Sequence, residues 1–320
     1  LTEKAGINLS DQLELVQRDA RTLLNNTGSL LLYISEDSIV YYHVDTAVSD
    51  KLVVGQGPYV KPLVQHYQFN HDFELLVLSQ DEARLFSVGL NHFEEITEND
   101  WPISLTDALG EEKVGGELTH GTYGSRGTAA EQTYHGHNET SQEKEIDREN
   151  FFRYVDTHLV ENHGNQPSPG LVLFALTENQ AAFRGISKYQ GLLEQGIEAS
   201  GAQLSDLDIA EAAKAFAKES ANRQEVDVLE RFKETGPEFR IDNHLEDLAN
   251  VAHEGRIDEV VISSDLTQEG SISTDGRFDG ESGNFVKQII HRVIDSSGKV
   301  YILSPDKLGE DVQISARLRY

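Results

Sequence analysis

The sequence predicts a multi-domain α/β protein, on three observations. A continuous apolar run, Leu171 to Leu176, passes directly into a helix-opening pattern at Thr177 and Gln180, as a buried strand feeding a helix does. Further on, the strand-like Ile257 to Ser263, the helical set Phe285, Val286, Ile289, Ile290 and Val293, and the strand-like Val300 to Leu303 follow one another. That alternation is the pattern of an α/β sandwich. The length, 320 residues with 38% hydrophobic and 26% charged content, suffices for two or three domains with cores of their own.

Three segments are expected. The first, 1–70, opens with a helix, signalled by Asp11 and Glu14 and by Leu13, Val16, Ala20, Leu23 and Leu24 at helical spacing. Two short strands follow, Leu30 to Ile34 and Ile39 to Val44, around the turn formers Glu36, Asp37 and Ser38. Gly55, Gly57 and Pro58 break the pattern as a plain turn, since no Gly-x-x-x-x-Gly-Lys frame surrounds them, and a short helix covers Val60 to Tyr67. The second segment, 71–188, begins with a hairpin, Glu74 to Leu78 and Ala83 to Val88, and a third strand, Phe93 to Ile96. Residues 106–141 then read as a long Gly-rich loop with seven glycines and three histidines, and loops of that length are working segments or solvated insertions. A helix restarts at Thr140 and Glu143 with Phe151, Phe152, Val155 and Leu159 as its apolar face, and ends at Asn162-His163-Gly164. The third segment, 189–320, holds a long helix, Ser205 to Lys233, with Ile209, Ala213, Phe216, Val226, Leu229 and Phe232 facing inward. After it come a helix through Leu245, Leu248 and Ala252, the strand Ile257 to Ser263, a polar loop over Gln268 to Gly283, the helix from Phe285, and an edge strand at Ile314 to Leu318.

Composition bounds the chemistry. There are 55 acids against 27 basic residues, a net charge of −28. The segments carry 8 acids and 5 bases, 21 and 8, and 26 and 14, in chain order, so none is basic and whole-surface nucleic-acid binding is excluded. Without cysteine, thiol nucleophiles, disulfides and Cys-ligated metals are excluded. No apolar run is long enough to span a bilayer and Leu1 opens no signal pattern, so a cytoplasmic protein without membrane contact is expected. Methionine is absent too, where ordinary usage gives about six, and motifs are therefore weighed by type and order more than by strict spacing.

The Gly-rich stretch from Gly121 to His137 is the leading chemical candidate. Gly124 and Gly127 free the backbone to approach a partner closely, and Arg126 is placed to meet phosphate. His120, His135 and His137, with a carboxylate such as Glu131, are a candidate ligand set for a metal-dependent hydrolase, although no His-Glu-x-x-His pattern occurs. No Gly-x-Ser-x-Gly elbow follows a strand. Arg153 and Asp156 are expected to form a surface ion pair, and Asp258, Glu259, Arg317 and Arg319 to be solvated strand charges.

The order of segments carries a resemblance. FELLVLSQDEARLF leads to a Gly-rich loop ending in YHGH, then to ENFFRYVDTHL, LVLFALTENQAAFRGIS, a long helix, VAHEGRIDEVVIS and GKVYILSPDKL…ISARLRY. From about Phe73 to Tyr320 this resembles the bacterial archaeo-eukaryotic release factor (baeRF) families, relatives of class I peptide-chain release factors and Pelota. The resemblance implies a release-factor-like middle domain over 71–188 and, over 189–320, an α/β sandwich like the kink-turn-binding ribosomal proteins. It also implies a ribosome-associated release or rescue factor, in which a Gly-Gly-Gln loop ahead of a long helix helps water attack the ester joining peptide to tRNA. Here Gly115 and Gly116 are followed by Glu117, so the signature itself is missing. The position-matched glutamine is Gln132, after Gly124 and Gly127, and these three are the implied catalytic residues. Arg126, Lys287 and Arg292 are the candidate RNA contacts, to ribosome or tRNA. No cofactor is expected. The alternatives are a non-catalytic module binding a protein or the ribosome with a drifted loop, and the metal-dependent hydrolase.

Overall fold

The computed structural model describes residues 12, 14–18, 28–44, 48–55, 57–69, 72–89, 92–110, 136–163, 169–201, 204–309 and 311–320, with backbone alone over 136–143. They fall into two compact units, one of His71–Asn222 and one of Leu1–Asn70 with Arg223–Tyr320. The grouping differs from the three expected segments in two ways. Residues 189–222 go with the middle segment, and the first seventy go with the C-terminal one.

The His71–Asn222 unit is built on a mixed sheet. Its strands are β3 (Phe73–Leu78), β4 (Glu82–Gly89), β5 (His92–Ile96), the short β6 (Ile103–Ser104), β7 (Leu171–Ala175) and β8 (Leu192–Glu198). The spatial order is β5-β4-β3-β7-β8, with β6 on β4. β3 and β4 form the expected hairpin, Phe73 opposite Val88 and Leu78 opposite Ala83, and the Ser79 side chain closes its turn by donating to Asp81 at 2.8 Å. β7 runs parallel to β3 and to β8. Helices α2 (Leu105–Leu109), α3 (Gly136–His163), α4 (Thr177–Ile186) and α5 (Asp206–Glu234) complete the unit, whose boundary lies within α5.

The sheet is covered on both faces. Leu76, Leu85, Leu171 and Leu173 meet Phe151, Phe152, Val155 and Leu159 of α3 and Phe183 of α4. Leu75, Val77, Phe86, Val172 and Phe174 meet Ile209 and Ala213 of α5. Every residue of β7 is buried, which is why it reads as an unbroken apolar run. Full burial of each such Leu or Phe contributes about 1.5–3 kcal/mol. Gln180 of α4 reaches into the sheet, donating to Ala175 O at 3.1 Å and Ile197 O at 3.0 Å. Gly196 makes this possible, because a Cβ there would lie 2.3 Å from Gln180 Oε1.

In the other unit, β1 (Ser29–Ile34) and β2 (Ile39–Val44) form the expected antiparallel hairpin, and α1 (Lys61–Tyr67) the expected short helix. A four-stranded sheet has the order β13 (Lys299–Leu303), β10 (Ile257–Ser263), β14 (Ile314–Leu318), β9 (Arg240–Asp242). Helices α6 (Leu245–His253) and α7 (Phe285–Asp295) cover one face, packing Leu248, Ala249, Ile289, Ile290 and Val293 on Ile257, Val260, Ile262 and Ile302. Toward the other face, Phe69 stacks on Tyr301 with centroids 5.8 Å apart. Lys61 of α1, only 4% exposed, donates to Ser263 O at 2.9 Å and Leu266 O at 2.8 Å. The Gln68 carboxamide lies along β13, donating to Ile302 O at 3.0 Å and accepting from Ile302 N at 2.5 Å. It thereby occupies backbone groups on the sheet's outer strand as another strand would.

Several expectations are corrected. β14 is an inner strand between β10 and β9, because Arg240–Asp242 adds a short strand outside it. The polar segment after Gln268 is largely a hairpin of β11 (Glu269–Ile272) and β12 (Phe278–Asn284), held by Phe278 against Phe285. Val226 is 52% exposed and Val228 is buried in its place. Glu259 is 4% exposed and bonded to Arg231 (3.0 Å) and Arg317 (3.1 Å), so it is no solvated strand charge. Arg317 also pairs with Asp258, and Arg319 donates to Ser296 O. Among the described residues no helix is long and apolar enough to cross a membrane.

Candidate functional site

Both ends of the Gly-rich stretch are anchored in the His71–Asn222 unit. Upstream, Ser104 and Asp107 form a reciprocal capping box on α2, and Gly110 terminates that helix with φ 77°, a conformation glycine adopts without strain. Downstream, α3 starts at Gly136, four residues before the expected Thr140, and runs for 28 residues.

Two features seat α3. One is the apolar row Phe151, Phe152, Val155 and Leu159. The other is Asp156, 5% exposed, whose carboxylate accepts from Ser187 Oγ at 2.6 Å and from the Lys188 backbone N–H at 3.1 and 3.0 Å. Such a carboxylate is held by the donors around it, so it is not half of the expected surface pair. Arg153 pairs with Glu149 instead. The signal that separates them is position: Asp156 follows Val155 on the buried side of the helix, whereas Arg153 points outward.

Gln132, Gly124, Gly127, Arg126, His120 and His135 lie outside the described residues, and of His137 only the backbone is described. Among the described residues no group of three or more His, Asp or Glu side chains could hold a metal ion. His158 and His163 are engaged in packing. His158 lies 2.6 Å from Asn99 O and edge-on to Trp101, and His163 Nδ1 lies 3.3 Å from Glu74. The remaining RNA candidates belong to the other unit and have internal partners. Lys287 Nζ donates to Gly57 O at 2.7 Å, and Arg292 Nη1 lies 3.1 Å from His253 Nδ1. Burial holds the Lys287 ammonium below the usual lysine range.

A feature that sequence reasoning missed is a groove of 410 Å³ between α3 and α4, floored by Phe152, Ala182 and Ile186 and rimmed by Glu145, Ile146, Arg148 and Glu149. Its signal in the sequence was the apolar Ile146 among charged neighbours.

Residues 71–219 match the family model Bacterial archaeo-eukaryotic release factor family 6. The family 6 span is just under half of the chain and ends within three residues of the compact unit His71–Asn222. No curated protein matches the sequence. Among solved structures the chain is similar to archaeal Pelota in a model of ribosome-bound Pelota and ABCE1, at 12% identity and TM-score 0.43, over 80% of this chain and 63% of that one. It is similar to Archaeoglobus fulgidus Pelota at 14% identity and TM-score 0.34, over 78% and 64%. For S. cerevisiae Dom34, a translation termination-like factor, the identity is 11% and the TM-score 0.41, over 81% and 67%. The chain thus spans less than two thirds of the length of either Pelota chain.

Proposed function

We propose that this protein is a ribosome-associated release or rescue factor that promotes hydrolysis of the peptidyl-tRNA ester. The observation that carries the reading is the family 6 match over one compact unit, the unit that holds both anchors of the Gly-rich segment. In this reading Gln132 positions the attacking water. A carboxamide is neutral and can both donate and accept, so it orients water at the ester without itself competing as a nucleophile. Gly124 and Gly127 let the backbone approach the ester closely. Arg126 is the proposed phosphate contact. Lys287 and Arg292 contribute positive charge while bonded within their own unit. The C-terminal sandwich is proposed to be the counterpart of the kink-turn-binding ribosomal proteins.

The reaction is tested on stalled ribosome complexes carrying labelled peptidyl-tRNA. The intact protein is expected to release peptide, and Gln132→Ala to slow release by about 100-fold or more, the scale of losing one positioning group at a developing oxyanion. Complexes unaffected by the intact protein would remove the hydrolytic reading. The missing Gly-Gly-Gln, with Glu117 after Gly115 and Gly116, favours a second reading, a factor that binds without hydrolysing. For that factor Gln132→Ala changes nothing and ribosome binding persists.

A further inference from the structure

Asp147, Tyr154, His158 and Glu161 fall on one line along α3, at spacings of seven, four and three residues. This stripe flanks the buried row Phe151, Phe152, Val155 and Leu159 on the Phe151 side, with Tyr154 and Glu161 exposed and Asp147 and His158 half-buried. Tyr154 is 42% exposed, and its ring lies within 14° of parallel to that of His158, with centroids 6.4 Å apart. The pair is backed by the protein. His158 meets Trp101 edge-on at 5.4 Å and bonds Asn99 O at 2.6 Å, and Asn99 and Asp100 hold their loop with φ of 54° and 62°. The stripe is framed by carboxylates: Asp147 and Glu161 seven residues to either side of Tyr154, and exposed Glu98 and Asp100 on the loop. No Lys or Arg stands on it, and the nearby Arg153 is paired with Glu149.

An ordered, exposed aromatic face attracts a cation through its quadrupole. Carboxylates around it strengthen that attraction and repel phosphate. Seven helical residues span about 10.5 Å, and three extended residues span about 10 Å. An extended chain with a cation at every third position therefore places one over Tyr154 and its neighbours at Asp147 and Glu161. The net charge of −28 adds long-range steering of the same sign.

We propose that this face of α3 is a docking surface for a Lys/Arg-rich protein segment, with one cationic side chain over Tyr154 and others on Asp147 and Glu161. The proposal is independent of the hydrolytic reading. It gives a strongly acidic protein a cationic polypeptide as its partner, where a nucleic acid would be repelled.

The test titrates the full chain with a synthetic Arg-Gly-Ser repeat peptide, read by anisotropy of the labelled peptide and by fluorescence of Trp101, the single tryptophan. Tyr154→Ala is expected to weaken binding about threefold, and Asp147→Asn with Glu161→Gln about tenfold, from about 0.5–1 kcal/mol per exposed contact. The control Glu269→Gln with Glu281→Gln removes the same charge from exposed positions on the β11–β12 hairpin and is expected to leave affinity unchanged. All substituted positions are at the surface, and circular dichroism confirms that the variants fold. No peptide binding, equal weakening by the control, unchanged binding by Tyr154→Ala, or preferential binding of a single-stranded RNA oligonucleotide would each overturn the proposal.

Discussion

Lys61 and Asp156 show how buried charge is used in the two units. The Lys61 ammonium is pushed down to about 8 from its ordinary 10.5, chiefly by burial, with Asp265 opposing and Lys51 adding to the shift. Between pH 8 and 10.5 the unfolded chain still holds the proton that the folded chain has released, so stability rises with pH across that window. Below pH 8 the cost of the buried charge is fully present. At about 1.4 kcal/mol per pKa unit, the gain is at most about 3.5 kcal/mol, and solvent screening reduces it. Guanidinium denaturation of the wild type and Lys61→Met at pH 7.5 and 10 checks this: the wild type gains on the variant as pH rises, and parallel profiles would contradict it. For Asp156, replacement by Ala leaves the Ser187 hydroxyl and the Lys188 N–H without their acceptor and is expected to cost about 2–4 kcal/mol, measured as a lower urea midpoint. Neither role was legible in the sequence. Asp156 finds its donors 31 and 32 residues away, Lys61 its carbonyls 202 and 205 away, and Glu259 its arginines 28 and 58 away. A charged letter states its own chemistry but not what folding brings to it.

At the scale of elements, those whose burial is continuous or strongly periodic were legible. The two faces of β7 are both covered, so its five residues are all apolar, and the five buried positions of α7 repeat at helical spacing. β8 was missed because LLEQGIE is largely solvent-facing and contains Gly196, whose place is fixed by Gln180. The β11–β12 hairpin was missed because its strands are polar and glycine-rich, with burial concentrated at a few positions such as Gly270 and Ile272. The helix after the Gly-rich segment was legible to within four residues of its start, whereas the α3–α4 groove depends on two helices meeting. Gln68 yields an element-scale prediction. Gln68→Ala strips its two bonds from Ile302 on the outer strand β13, with an expected cost of about 1–3 kcal/mol. The uncovered backbone groups favour edge-to-edge pairing. Size-exclusion chromatography with light scattering is expected to show concentration-dependent association in the variant beyond that of the wild type. Identical elution at all concentrations would count against Gln68 as an edge cover.

For the whole molecule, the governing quantity is the net charge of −28. On the proposed reading, a protein so acidic meets ribosomal RNA through few phosphates, and its affinity is predicted to depend little on salt. With one or two phosphate contacts a fourfold rise in salt weakens binding by about 3–12-fold, against losses of about 10³-fold or more for a broad basic interface. Co-sedimentation with ribosomes stalled on peptidyl-tRNA, at low and near-physiological salt, tests ribosome association most directly. The intact chain is predicted to pellet with the ribosomes at both salt concentrations, with only that modest weakening between them. Protein that stays in the supernatant with stalled ribosomes even at low salt would contradict the account.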